Sequence, residues 1–255
     1  MVLDLAKKTL FMGILNITPD SFSDGGKYFD MENALNHTKK MIKNGVDIID
    51  VGGESTRAGA KPVSEEEELK RIIPVIKEIS SLITRHSLLI SVDTYKSNVA
   101  KIALEAGADM INNVSGLTMD ENMVNVAREA GCPIVIMHNK GIPATKPGTR
   151  VKGNSIVEEV YNWLKKQTDY AIKNGVKKEN IIIDPGLGFG KTPEEDMFLI
   201  EHLYEFKSLE FPILTGSSNK SFIRKLFPND DFKIKNNEIV QLAIRNGANI
   251  IRMHL

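Results

Sequence analysis

The chain has one cysteine, one tryptophan and no surplus of either charge, with 33 Lys+Arg against 33 Asp+Glu. A lone cysteine excludes an intrachain disulfide and fits a reducing compartment, so the cytoplasm is expected. Cys132 lies between Gly131 and Pro133, just ahead of an apolar run, a place for burial rather than reactivity. Zero net charge removes any general attraction to nucleic acid or to an anionic membrane. No apolar run reaches membrane length and no signal peptide is read at the start. Also missing are a catalytic triad, a zinc-type cluster of His and Cys, and a GxGxxG fingerprint.

What is present is rhythm. At 255 residues and 42% hydrophobic content, one large domain is expected, and about 250 residues is typical of an eightfold α/β barrel. Strand, loop, helix and glycine recur along the chain. Candidate strands are Leu10–Ile17, Asp47–Gly52, Leu88–Asp93, Met110–Val114, Pro133–His138, Ile181–Asp184, Pro212–Thr215 and Asn249–His254. Most are continuous apolar runs, the pattern of strands covered on both faces. Gly45, Gly107, Gly131, Gly175 and Gly247 each end a helix just before a strand. Ser64 with Glu67, Ser155 with Glu158, and Thr192-Pro193 mark helix starts, while Pro74 should kink the second helix. The expected fold is a single (β/α)8 TIM barrel over residues 1–255. No eighth helix follows Leu255, which leaves an apolar seam for a partner subunit or for further sequence, the latter being favoured.

In such a barrel, working residues project from the C-terminal strand ends. Those ends supply Asn16, Glu54 to Arg57, Asp93, Asn112, Met137, His138, Asp184, Lys220, Arg252 and His254. Asp93, Asn112 and Asp184 form one subset, whose carboxylates can accept paired bonds from an amidine-like edge. Arg57, Lys220, Arg252 and His254 form a second, and cations converging at one rim suit an anionic ligand such as a diphosphate. Residues 10–26, LFMGILNITPDSFSDGG, run from a strand into a polar loop with two adjacent glycines and an isolated Phe22, the make-up of a lid.

That stretch, followed in order by DVGGESTRAG, SVDTYKSNVA, INNVSG, IMH, IIIDPGLGFGKT, GSSNKSF and RMH, resembles the dihydropteroate synthase family of folate biosynthesis, which sulfonamides inhibit. The resemblance covers nearly the whole chain. It implies condensation of 6-hydroxymethyl-7,8-dihydropterin diphosphate with p-aminobenzoate, releasing pyrophosphate. It implies pterin contacts from Asp93, Asn112, Asp184 and Lys220, and a p-aminobenzoate site at Thr56 and Arg57. It further implies Mg²⁺ on the diphosphate beside Asn16, diphosphate contacts from Arg252 and His254, and a catalytic share for Lys220, Arg252 and Asp93. Phe22 and Phe189 would enclose the aromatic substrate, and a homodimer is expected. Four departures stand out: Asn219 where the family has arginine, Ala58 for proline, Asn113 for aspartate, and Leu255 for the aspartate after the terminal histidine. The loss of that arginine predicts weaker pterin binding. Two alternatives remain open, a methyltetrahydrofolate-type pterin methyltransferase barrel and a non-catalytic pterin-binding paralogue. An aldolase-type lysine enzyme is more distant.

Overall fold

The computed structural model describes residues 9–17, 27–56, 59–83, 88–144, 155–218 and 220–254, with only the backbone of 27–30. Eight parallel strands form one sheet: β1 (Leu10–Asn16), β2 (Ile48–Gly52), β3 (Leu89–Asp93), β4 (Met110–Asn113), β5 (Ile134–Met137), β6 (Ile181–Asp184), β7 (Leu214–Thr215) and β8 (Ile250–Met253). Their order is β6-β5-β4-β3-β2-β1-β8-β7, and a bridge between Ile183 and Ile213 joins the two ends into a barrel. Every expected strand is present, β6 at its expected bounds and the others trimmed by a residue or two. β7 is the shortest, since Pro212 has no N–H to give the ladder, although its carbonyl accepts from Ile183.

Helices α1 (Lys27–Lys43), α2 (Glu65–Leu82), α3 (Ser97–Glu105), α4 (Met123–Ala130), α5 (Ile156–Lys173) and α6 (Pro193–Glu201) each follow the strand of the same number. Two helices, α7 (Ser221–Leu226) and α8 (Phe232–Arg245), share the connection from β7 to β8. Ser64 and Ser155 cap α2 and α5 as expected, and Thr192 with Glu195 makes a complete reciprocal box on α6. α2 runs unbroken through Pro74.

Side chains alternate across each strand, so inward and outward positions repeat every second residue. The inward set begins with an apolar plug: Leu10, Met12, Ile48, Leu89, Met110, Val135, Ile182, Leu214 and Ile250 all pack together inside the barrel. Outward residues such as Ile49, Val92, Ile111 and Ile183 pack against the helices. Moving two residues up from the plug changes its chemistry. Ile48 leads to Asp50, Met110 to Asn112, Ile182 to Asp184, Leu214 to Gly216 and Ile250 to Arg252. One period of the pleat therefore separates a dry barrel floor from a polar mouth.

At the opposite end, a short sequence repeat closes the staves. Gly45-Val46-Asp47, Gly107-Ala108-Asp109 and Gly247-Ala248-Asn249 each turn from a helix into a strand. Their side-chain oxygens accept the backbone N–H of Phe11, Ile90 and Ile213 at 2.9, 2.8 and 2.9 Å. Each bond ties a strand's first residues to those of its neighbour and satisfies a donor the ladder leaves over.

Candidate active site

The polar mouth opens into a cleft of about 360 Å³. Asp93, Asn112 and Asp184 line it from β3, β4 and β6, as their strand ends led us to expect, and Thr56 stands at its edge. Lys220 and Arg252, expected on a separate cationic rim, line the same cleft. Acid, amide and cation thus face one another rather than forming two zones.

Arg252 binds them together. Its Nε donates to Asp50 Oδ2 at 2.6 Å and its Nη2 to Asp93 Oδ2 at 2.6 Å. Asn112 Nδ2 donates to the same Asp50 oxygen at 2.9 Å. Two carboxylates therefore share one guanidinium. Burial pushes the Asp93 carboxyl up, Arg252 opposes this, and Asp50 adds to the rise, leaving it at about 7. Burial likewise raises Asp184 to about 6, although its carboxylate accepts the Gly186 N–H at 2.7 Å. Both acids sit near the point where they give up their protons at neutral pH.

The loop after β6 supplies the far wall. Lys220 Nζ donates to the Leu187 carbonyl at 2.8 Å and lies 5.1 Å from the centre of the Phe189 ring. Gly186, at φ 67°, brings this loop so close to β5 that an added Cβ would stand 1.8 Å from the His138 carbonyl oxygen. Lys191 is buried beneath the loop and donates to the Gly186 carbonyl at 2.7 Å. Burial lowers its pKa to about 7 despite Asp196 and Asp184 nearby.

Asn16 flanks the cleft at the top of β1. Its Oδ1 and Asp93 Oδ2 lie 3.6 and 3.7 Å from where a Cβ on Gly52 would stand. The missing side chain of Gly52 leaves room for both. His254 follows β8 and is half-buried. Arg57, Phe22, Ala58, Asn219 and Leu255 lie outside the described residues.

His138, although a strand-end residue, packs edge-on against Trp163 of α5, with ring centres 5.1 Å apart. Burial and the nearby lysines Lys191 and Lys140 hold its pKa at about 2, so it is neutral and no acid–base partner for the cleft. Cys132 is buried, with its thiol pushed up to about 11 by burial. Among the described residues no group of three or more His, Cys, Asp or Glu side chains could hold a metal unaided.

Asp50 is the residue that reading by strand ends missed. It sits mid-strand and fully buried, and a charged residue inside the otherwise apolar run Ile48–Val51 was its signal. Such a charge survives there only with a partner.

The match to known proteins extends over the same residues that build this cleft. Residues 12–254 match the pterin binding enzyme family. A dihydropteroate synthase from Clostridium beijerinckii is 47% identical over 220 residues, covering 86% of this chain and 78% of its own. The crystal structure of dihydropteroate synthase from Clostridium difficile in the presence of pteroic acid superposes with a TM-score of 0.89 at 43% identity, covering 99% of this chain and 93% of that one. The enzyme from Xanthomonas albilineans in complex with 7,8-dihydropteroate gives a TM-score of 0.84 at 34% identity, covering 99% and 89%. A barrel mouth of shared carboxylates and cations, found within a likeness that runs nearly end to end, places this chain in the pterin-binding enzyme family, among the dihydropteroate synthases.

Proposed function

We propose that this protein condenses 6-hydroxymethyl-7,8-dihydropterin diphosphate with p-aminobenzoate to give 7,8-dihydropteroate and pyrophosphate. The observation that carries the reading is the single cleft in which Asp93, Asn112 and Asp184 face Lys220 and Arg252, with Thr56 at the edge. A pterin presents an amino group beside a ring N–H, and ionised carboxylates accept both while the Asn112 amide matches a donor–acceptor edge. Lys220 and Arg252 would meet the negative charge that builds on the departing diphosphate. His254 extends that role by family likeness, which gives Arg57 to the p-aminobenzoate site instead.

The reaction breaks the bond between the pterin methylene carbon and the diphosphate oxygen, and forms one from that carbon to the arylamine nitrogen, which loses a proton. No protein nucleophile is needed. Carboxylates at the pterin's N–H groups favour positive charge spreading from the methylene into the ring, so departure of the diphosphate leads bond formation. Isotope effects showing carbon–nitrogen bonding well advanced before carbon–oxygen cleavage would contradict this order. Phe189, beside Lys220, narrows the cleft against water, the competing nucleophile.

The donor set fits Mg²⁺ brought in with the substrate. The ion keeps several waters and takes few protein ligands when phosphates complete its octahedron. A neutral amide oxygen, Asn16 Oδ1, at the edge of the cleft suits that pattern. When bound, the ion neutralises diphosphate charge. A homodimer is supported by the aromatic strip of Phe198, His202 and Tyr204, in which Phe198 and Tyr204 are exposed. Light scattering that reads a monomer at micromolar concentration would remove the dimer. The unpaired, buried Cys132 supports a cytoplasmic setting, and sulfonamides, as arylamine mimics, would compete at Thr56.

Incubation with Mg²⁺, the pterin diphosphate and p-aminobenzoate tests the assignment. Pyrophosphate and dihydropteroate should appear in equal amounts, only with both substrates and only before chelation. Pterin binding without product would leave a pterin-binding barrel that is not this enzyme.

A further inference from the structure

Thr56 lines the cleft from the loop that joins β2 to α2, and a set of polar contacts holds that loop. Glu54, buried at the loop's start, accepts from Lys96 Nζ at 2.5 Å and from the Tyr95 hydroxyl at 2.8 Å. Its Oε2 also accepts the backbone N–H of Val63, at 3.2 Å, from the loop's far end. One carboxylate therefore joins Val63, near the loop's far end, to the segment just before Thr56. Lys96 in turn reaches Glu68 of α2 at 2.5 Å, and Glu68 is 1% exposed. Arg71, also on α2, donates to the Gly53 carbonyl at 2.8 Å. From the opposite side, the Ala144 N–H donates to the Thr56 carbonyl at 3.0 Å.

Two acids around one half-buried lysine make an expensive arrangement. Burial works against the Lys96 ammonium, yet the two glutamates outweigh it and its pKa lies above the ordinary value. Burial raises Glu68, and Lys96 opposes that rise. An apolar filling would serve stability at least as well. What an ion triad gives instead is a fixed position for one loop relative to the strand beside it. Lys96 and Tyr95 follow β3 directly, three and two residues after Asp93. The triad thus spans from the strand end that faces the pterin to the loop that faces the second substrate.

We propose that Lys96, with Glu54 and Glu68, is a positioning residue that holds Thr56 in place for the arylamine, and that it acts on arylamine recognition rather than on pterin binding. This rests on reading Thr56 as part of the p-aminobenzoate site. Lys96 touches neither substrate; it acts through the two ends of the loop. Removing it leaves Glu54 and Glu68 facing each other without a counter-charge and frees the loop's entry from β3.

Steady-state kinetics with each substrate varied in turn test this. Lys96→Met should raise KM for p-aminobenzoate about tenfold or more, with KM for the pterin diphosphate within about twofold of wild type. Lys96→Arg should recover most of the loss, because a guanidinium can reach both carboxylates. Tyr95→Phe removes a single bond to Glu54 and should give a smaller rise of the same kind. It also covers the case in which Lys96→Met does not fold. Calorimetric binding of unphosphorylated pterin to each variant reports an intact barrel independently of turnover. Equal rises in both KM values, unchanged KM values with lower kcat, or no rescue by arginine would each overturn the proposal. A wild-type protein that binds pterin but makes no dihydropteroate would instead overturn the underlying assignment.

Discussion

Asp50 decides how the cleft is charged. It touches no position where substrate is expected, yet it holds both Arg252 and Asn112. The proposed pterin contacts require Asp93 and Asp184 to accept N–H bonds, hence to be ionised. In the free protein burial has lifted them to about 7 and about 6. Affinity for an unphosphorylated pterin should therefore climb as pH rises from 5, and level off above neutrality, once both protons are gone. Titration calorimetry from pH 5 to 8.5 reads this directly, and affinity that fell with rising pH would mean that protonated carboxyls do the binding. Asp50→Asn sharpens the point. It removes a negative charge that helps push Asp93 up, so the pH midpoint should move to a lower value. It also leaves Arg252 paired to Asp93 alone, and kcat/KM should drop by roughly 10²-fold through misplacement of the guanidinium. An unmoved midpoint would show that Asp50 does not set the charge state of Asp93.

Among the elements, the helix ends and the loops after the strands obey different demands, and glycine shows both. Gly131 ends α4 at φ 61° with nothing within 4 Å of an added Cβ, so Gly131→Ala meets only backbone strain, about 1 kcal/mol. Gly186→Ala drives a methyl into the His138 carbonyl and must displace the loop that carries Leu187 and Phe189. Urea unfolding should show a small loss for the first and several kcal/mol for the second, whose pterin affinity should also fall; comparable losses would refute the close-approach argument. The same contrast explains what the sequence made legible. Helix-ending glycines, serine caps and apolar strand runs are local signals, and all five glycines adopt positive φ. Asp93 and Asp184 were legible because they end strands, and Asn112 because it stands one residue from such an end. Asp50 was not, because its inward direction becomes visible only once the apolar plug fixes the phase of β2. Lys96 carries no local signal, since its two glutamates lie 42 and 28 positions away. Arg252 was expected at a rim, and its true neighbours, Asp50 and Asp93, are 202 and 159 residues distant.

The barrel as a whole is not equally tight around its circumference. β1 and β2 pair over five registered positions, from Met12↔Ile48 to Asn16↔Gly52, whereas β6 and β7 meet through the lone bridge Ile183↔Ile213. That weak seam rises directly to Asp184 on one side and to the loop bearing Lys220 on the other, so the spacing of two proposed pterin contacts depends on it. Ile213 is its junction. Its N–H is held by Asn249 Oδ1, and its carbonyl accepts from Asn249 and Ile250. Asp109 makes the equivalent bond to Ile90, but between β3 and β4, where pairs from Ser91↔Met110 to Asp93↔Asn112 hold the site end regardless. Asn249→Ala and Asp109→Ala each leave one backbone donor unpaired and should cost similar stability, about 1–3 kcal/mol by denaturant unfolding. Their effects on the cleft should differ. Asn249→Ala should weaken pterin binding and speed amide exchange at Ile213 and Leu214, while Asp109→Ala should leave pterin affinity near wild type. Equal weakening by the two would show that the mouth senses overall stability and not the closure of this one seam.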